Sequence, residues 1–213
     1  MGLISIIGVI AAYFVGAIPT AYLMGRARGI DIRKHGSGNV GATNAFRVLG
    51  KSWGIACLVL DALKGYIPVT VLFFEFFKPA GWPPELWMWL VGLAAIVGHM
   101  TSPFVGFKGG KGVATSLGVM LAIAPLPMLV ALVAALGMIW GTGYVSVGSI
   151  FGAVALPILI GIRNLTSARG DWVTFGITIV LAALIVWKHR TNIARLKAGT
   201  ESSIFNKQQD RTK

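Results

Sequence analysis

Val113 to Trp140 reads VATSLGVMLAIAPLPMLVALVAALGMIW, an apolar run interrupted at Ala124-Pro125-Leu126-Pro127. Whether this run is one helix or two decides the fold, because it fixes how many times the chain crosses a membrane. Proline removes a backbone donor and disfavours helix at the residue before it. The reading is therefore two helices, about 113–124 and 127–141. At about 1.5 Å per residue each is near 20 Å long, shorter than the roughly 30 Å apolar core of a bilayer. They would be thin crossings or a re-entrant pair.

The sequence outward from this run is built alike. Apolar blocks occupy roughly 2–24, 53–77, 86–100, 145–162 and 172–187. Of 213 residues 55% are hydrophobic and 12% charged, and mean hydropathy is +0.76. A soluble domain is about 25% charged, and a block of about 18 or more apolar residues reads as a membrane span. The chain reads as an all-α, polytopic membrane helix bundle, a single integral-membrane domain over 1–213 with a polar cytoplasmic tail from about 199. The first block has no Lys or Arg in Met1-Gly2-Leu3, and it exceeds the roughly 7–15 apolar residues of a signal-peptide core. It reads as a retained helix.

The net charge of +12 does not point to nucleic acid, because the cations sit between and after the apolar blocks. Arg26, Arg28, Arg33, Lys34, Arg47 and Lys51 fill the first connection, and Lys188, Arg190, Arg195, Lys197, Lys207, Arg211 and Lys213 fill the tail. By the positive-inside rule both are cytoplasmic and neighbour anionic lipid. The N-terminus is then outside, which requires an odd number of crossings. Splitting at Pro125/Pro127 turns six blocks into seven transmembrane helices. The outer connections become Lys78 to Glu85 and Arg163 to Asp171, the latter carrying two Arg against the rule. Five crossings, with one block interfacial, is the alternative. Cys57 is the only cysteine and lies in an apolar block, so it reads as a core thiol. The Trp residues and Phe73-Phe74-Glu75-Phe76-Phe77 read as interface anchors.

Three polar clusters interrupt this pattern: Gly36 to Arg47, Phe107 to Thr115 and His189 to Leu196. The seven-span count places all three on the cytoplasmic side, together with the turn Thr142 to Ser149. In the second, Gly109, Gly110 and Gly112 let backbone approach a ligand, Lys108 and Lys111 add charge, and a helix starts near Gly112-Val113. A helix N-terminus behind such a loop binds phosphate. Val113 follows Gly112 and no strand precedes, so this is not a nucleotide P-loop. In the first, Thr43 and Arg47 share a helix face, Arg47 can grip a phosphate with two donors, and Ser37 and Asn39 offer polar groups from the loop. In the third, His189 and Asn192 lie at i, i+3, while Lys188, Arg190 and Arg195 suit a helix end at the inner interface. Asp61 and Lys64, i, i+3 inside a block, either neutralise each other or do chemistry, and His99 is either an interfacial cap or part of the site.

The absences are informative. There is no His-x-x-x-His pair, no Cys-His pair, no convincing Ser-His-Asp set and no His-x-x-x-x-Asp. No metal or other cofactor is expected, and a dedicated base or covalent nucleophile has no obvious carrier. No internal duplication is visible, which weakens a transporter for a phosphorylated solute, the alternative reading. A lipid-binding assembly protein is a third.

At Gly36 to Arg47 with Gly50-Lys51, Asp61 to Gly65, Gly106 to Thr115, Tyr144 to Ser149, and His189 to Leu196 with Gly199-Thr200-Glu201, the chain resembles the bacterial acyl-phosphate:glycerol-3-phosphate acyltransferase family (PlsY). The stretches run nearly end to end in the family order. One departure is Pro103, four after His99, where the family has proline three after this histidine. The resemblance implies a seven-helix enzyme of the bacterial inner membrane, its site facing the cytoplasm. It would transfer a fatty acyl group from acyl phosphate to the 1-hydroxyl of sn-glycerol 3-phosphate, the first step of phospholipid synthesis, acting as a monomer among membrane lipids, with no nucleic acid as partner. Ser37, Arg47, Lys108, His189 and Asn192 are the expected catalytic residues. Gly38, Asn39, Gly41, Thr43, Asn44, Gly109, Gly110, Lys111, Gly112, Thr115, Ser146 and Ser149 are the expected substrate contacts. Acyl phosphate is already a reactive mixed anhydride, so alignment and charge stabilisation suffice. The departing phosphate is the preferred acceptor of the hydroxyl proton, and His189 the alternative.

Overall fold

The structure, a computed structural model, describes residues 2–72, 78–167 and 170–205. The aromatic run Phe73 to Phe77, Arg169 and the tail cations Lys207, Arg211 and Lys213 lie outside the described residues. Among the described residues all regular structure is helical. The α-helices are α1 (Leu3–Ala17), α2 (Thr20–Ala27), α3 (Ala42–Leu49), α4 (Lys51–Ile67), α5 (Pro84–Met100), α6 (Val113–Ile123), α7 (Pro125–Thr142), α8 (Val145–Thr166), α9 (Trp172–Lys188) and α10 (Arg190–Lys197).

The run at 113–140 is broken, as expected, with α6 ending at Ile123 and α7 opening on Pro125 after the non-helical Ala124 (φ −141°, ψ 70°). The second helix starts two residues earlier than the sequence reading placed it. Proline fits the first turn of a helix, where its missing N–H would have had no partner. Lys51–Thr70, Pro84–Val105, Pro125–Thr142 and Val145–Thr166 are each long and apolar enough to cross a membrane, and the bent pairs α1–α2 (45°) and α9–α10 (53°) raise that number to six. Helix α6 has 11 residues, about 16 Å, roughly half an apolar bilayer core.

Two boundaries need correction. The block 2–24 is not one helix, because it breaks at Ile18-Pro19. The same proline argument that split 113–140 applies there. Helix α8 runs to Thr166, so Arg163 sits in its last turn and not in a connection. A cation is favourable at a helix C-terminus, so the helix outlasts the apolar window.

The chain divides into two compact units, Met1–Ile123 and Ala124–Lys213. In the first, α1 packs on α5, α4 on α6 and α3 on α4. Helices in lipid gain little from burying apolar surface against one another, so close backbone approach at small residues dominates. A Cβ placed on Gly98 of α5 would run into the Tyr13 carbonyl of α1 and lie 3.0 Å from Ala17 N. Glycine to alanine normally gains up to about 1 kcal/mol inside a helix, but overpacking costs about 1–3 kcal/mol. Gly98→Ala should therefore lower the melting temperature of the detergent-purified protein, and a raised one would show that α1 and α5 can part without loss.

The break between α1 and α2 frees backbone carbonyls, and buried ones need hydrogen-bond partners. Ala17 O accepts from Ser102 Oγ (2.5 Å), and Ile18 O accepts from Lys64 Nζ (2.8 Å). Lys64 also pairs with Asp61 Oδ1 at 2.8 Å, which accepts from Thr20 Oγ1 at 2.8 Å. Buried ion pairs are often offset by desolvation. Here the pair meets the demand of a broken helix, so Asp61 and Lys64 join α4 to the bend.

In the second unit α8 packs on both α7 and α9. Asn164 and Asp171 clasp the turn between α8 and α9: Asn164 Nδ2 donates to Asp171 O (2.9 Å) and Asp171 N donates to Asn164 Oδ1 (3.1 Å). The Asp171 carboxylate then caps α9 by accepting from Thr174 N at 2.9 Å, as N-caps do.

Candidate active site

The first cluster is a loop organised around one buried amide. Asn44, in the first turn of α3 and 1% exposed, accepts from Ser37 N (2.9 Å) and donates to Ile32 O (3.1 Å) and His35 O (3.2 Å). Gly36 has φ +59°, and a Cβ there would strike Asn44 Oδ1, so both the left-handed backbone and the close approach require glycine. Gly41 is the N-cap of α3 and supplies no side-chain cap. The open first turn, with Thr43 in it, thus faces the loop carrying Ser37, Gly38 and Asn39. Thr43 and Arg47 lie one turn apart on α3, both half-buried. Two of the first connection's other cations are engaged locally. Arg33 binds Asp31 at 2.8 Å and lies over the Tyr22 ring at 4.6 Å, while Arg28 lies over Trp53 at 5.5 Å. The Arg33 hydrogen bonds hold the Asp31 carboxyl down at about 2.

The second cluster is a strained turn followed by a helix start. Gly106 and Phe107 are both left-handed (φ +66° and +61°). A non-glycine residue there costs on the order of 1–3 kcal/mol and must be held by its surroundings. Phe107 N donates to Ser102 O (2.8 Å), and Gly110 N donates to His99 O (3.0 Å). This leaves Lys108 exposed at the tip, Lys111 half-buried and Gly112 at the foot of α6. Thr115 is fully buried in the first turn of α6, and its hydroxyl has no hydrogen-bond partner. His99, left open between cap and site by the sequence, is buried beneath Gly110.

In the second unit the third cluster and the Thr142–Ser149 turn converge on one carboxylate. Glu201, 6% exposed, accepts from Asn192 Nδ2 (2.6 Å) and Ser146 Oγ (3.0 Å) on one oxygen and from Arg195 Nε (2.7 Å) on the other. It gets there because α10 ends in a left-handed Gly199 (φ +67°), with Gly199 N bonded to Leu196 O and Thr200 N to Arg195 O. That paired C-terminal motif turns the chain back on its own helix. Ile204 N then donates to Gly143 O at 2.9 Å, closing the segment against the turn. His189 is 3% exposed and its Nδ1 lies 2.8 Å from Ile185 O. A carbonyl can only accept, so Nδ1 carries the proton, and in the neutral ring Nε2 is the acceptor nitrogen. Ser149 is half-buried. Among the described residues no group of three or more His, Cys, Asp or Glu side chains could hold a metal.

The sequence profile of a family described as glycerol-3-phosphate acyltransferase matches residues 6–199. The chain belongs to that family. It is 50% identical over 200 residues to the glycerol-3-phosphate acyltransferase of Geobacter metallireducens, covering 94% of this chain and 97% of the relative. It is 47% identical over 191 residues to that of Geobacter sulfurreducens, covering 90% and 93%. Among solved structures it is similar to PlsY (YgiH), an integral membrane glycerol 3-phosphate acyltransferase. The match to its glycerol 3-phosphate form has a TM-score of 0.81 at 38% identity, over 93% of this chain and 94% of that one. The match to its lysophosphatidic acid form has a TM-score of 0.79 at 37% identity, with the same coverage.

The acyltransferase is thus a multi-pass membrane protein, and its candidate residues fall into two kinds. Ser37, Gly38, Asn39, Thr43 and Arg47 surround one loop, and Lys108 to Gly112 form another, both in the first unit. Asn44, an expected substrate contact, makes all three of its hydrogen bonds to the loop. Asn192 and Ser146 are aimed by Glu201. Sequence reasoning gave Glu201 no role. The available signal was an acid in a strongly basic tail, two residues after a helix-ending glycine.

Proposed function

We propose that this acyltransferase moves a fatty acyl group from acyl phosphate to the 1-hydroxyl of sn-glycerol 3-phosphate, releasing lysophosphatidic acid and phosphate. The observation that carries the reading is the second loop: Gly109 to Gly112 with Lys108 and Lys111, running into the N-terminus of α6. It offers amides and charge to a phosphate, and every reactant and product bar the acyl chain is a phosphate compound. Its relatives' names and the two PlsY structures agree with the acceptor and product.

In the proposed step the acceptor hydroxyl oxygen attacks the acyl carbonyl carbon. The ester C–O bond forms, the bond from that carbon to the phosphate oxygen breaks, and its electron pair leaves with phosphate, which takes the hydroxyl proton. Lys108, Lys111, Arg47 and the loop amides hold phosphate and stabilise developing charge. Ser37, Gly38, Asn39, Gly41, Thr43 and His189 orient the glycerol and the carbonyl. Thr115, Ser146, Ser149 and Asn192 complete the donor contacts. Positioning alone can lower a barrier by about 7–11 kcal/mol, which an activated donor makes sufficient. Both units are assigned to one acyltransferase domain, crossing the bacterial inner membrane seven times with the N-terminus outside and the site on the cytoplasmic face. A reporter fused to the C-terminus should therefore read as cytoplasmic.

The test is turnover by purified protein given acyl phosphate and glycerol 3-phosphate, with phosphate and lysophosphatidic acid both measured. Lys108→Ala should cut kcat/KM by about 10²–10³-fold, the scale of losing one charge-stabilising donor. No turnover by the wild type, with uptake of a phosphorylated solute into vesicles instead, overturns the reading. Phosphate as proton acceptor fails if His189→Ala and His189→Gln both lose all turnover while binding glycerol 3-phosphate normally.

A further inference from the structure

The acyl-transfer step proposed above leaves one buried polar cluster unused, and that cluster ends on the second glycine loop. Asp61, Lys64 and His99 are 1%, 7% and 6% exposed. Lys64 and Asp61 are fixed to the α1–α2 bend through Ile18 O and Thr20. His99 Nδ1 lies 3.9 Å from the same Asp61 oxygen. From its other side His99 meets the loop twice. Its carbonyl accepts from Gly110 N, and its ring occupies the space a Gly110 side chain would need, with Cε1 2.7 Å and Cδ2 3.1 Å from such a Cβ. Ile18, Lys64, His99, Gly109 and Gly110 line one narrow cleft.

Gly110 is not among the glycines with positive φ. Its backbone would accept alanine, and the atoms that forbid one include the imidazole. A core histidine usually packs among side chains, whereas this one is pressed against loop backbone that approaches only because there is no Cβ. Backbone amides grip a phosphate well only when held at the right height, and shifts of about 1 Å can cost 10²-fold.

We propose that His99 is a positioning residue for the phosphate-binding loop: its imidazole, backed by Asp61, sets where the Gly109-Gly110 backbone stands when it meets a substrate phosphate. The proposal rests on the reading of that loop as a phosphate cradle. It assigns His99 no contact with the reacting atoms.

The test is a double-mutant cycle on the full-length protein. Gly110→Ala should raise the KM for one of the two phosphate-bearing substrates about tenfold or more, with kcat changed far less, and His99→Ala should raise the same KM. Removing the ring makes room for the methyl group, so Gly110→Ala in the His99→Ala background should cost much less than in the wild type. Additive effects, or losses confined to kcat, overturn the proposal. Should the alanine variants fail to give a cooperative melt, His99→Gln takes their place: a raised KM supports positioning and an unchanged one overturns it. Should the wild type turn over no acyl phosphate, the function reading fails separately and inorganic phosphate becomes the probe. The proposal then requires a phosphate-dependent rise in melting temperature in the wild type that His99→Ala or His99→Gln loses. No rise in the wild type, or an equal rise in both, overturns it.

Discussion

Replacing Glu201 with alanine should destabilise the second unit by roughly 3 kcal/mol, the lower end for breaking a buried ion pair. The lower end applies because the Arg195 side chain is 35% exposed and can find water, whereas that of Glu201 is only 2% exposed. Ser146 and Asn192 lose their shared acceptor in the same step, so two elements that the carboxylate joins are released together: the start of α8 and the helix α10. Glu201→Gln should fall between. It keeps one oxygen for Asn192 and Ser146 but sets an amide N–H against Arg195 Nε. The pH dependence has a fixed sign. Burial pushes the Glu201 carboxyl up, but the donors Asn192, Arg195 and Ser146 outweigh it, and the group sits below the ordinary value of 4.5. A depressed folded value means its contribution is fully present above about pH 4.5 and is lost as pH falls through the folded value. Melting curves should therefore show wild type and Glu201→Ala well apart at pH 7 and closer together in acid. A gap that does not narrow would mean that the carboxylate is not what joins α8 to α10.

How much of this was legible in the sequence depends on the range of the interaction. The seven apolar segments, the split at Ala124 and the helix beginning at Val113 follow from local rules about proline, glycine and apolar length, and the structure bears out the split and the helix start. The bend at Ile18-Pro19 was equally local. It escaped because the surrounding block is apolar enough to pass for one span, and hydropathy carries no information on helix continuity. The Asp61–Lys64 pair was visible as i, i+3, but its purpose was not. That purpose depends on a carbonyl freed more than forty residues earlier, at Ile18. Glu201 escaped for a like reason: its three donors lie at 146, 192 and 195, and only the turn at Gly199 brings it to them. Residue types were enough to name candidates for the site. Which of those residues hold the site and which touch substrate is a matter of tertiary contacts, and Asn44 shows the difference most sharply.

Asn44→Asp changes one atom in a buried side chain and should have an effect out of proportion to its size. Oδ1 can still accept from Ser37 N. The other position, which as an amide donates to Ile32 O and His35 O, becomes an oxygen facing two carbonyl oxygens with no proton between them. Two buried acceptors left unmatched cost about 1–3 kcal/mol each, so about 2–6 kcal/mol in all. The loop can avoid this only by moving. It carries Ser37, and α3 carries Thr43 and Arg47, so kcat/KM should fall roughly 100-fold, the penalty for displacing positioning groups by about 1 Å. Burial with no cation among the bonded partners raises the new carboxyl's value in the folded state. An acid raised on folding is destabilising above its unfolded value of about 3.9, so its penalty should shrink as pH falls and the carboxyl gains a proton to donate. This is opposite in sign to the Glu201 effect, so the variant must be compared with the wild type at each pH. The gap in melting temperature should be wide at pH 7.5 and narrower at pH 5. If the gap is absent at both, Asn44 does not hold the loop, and the first cluster must take its shape from elsewhere.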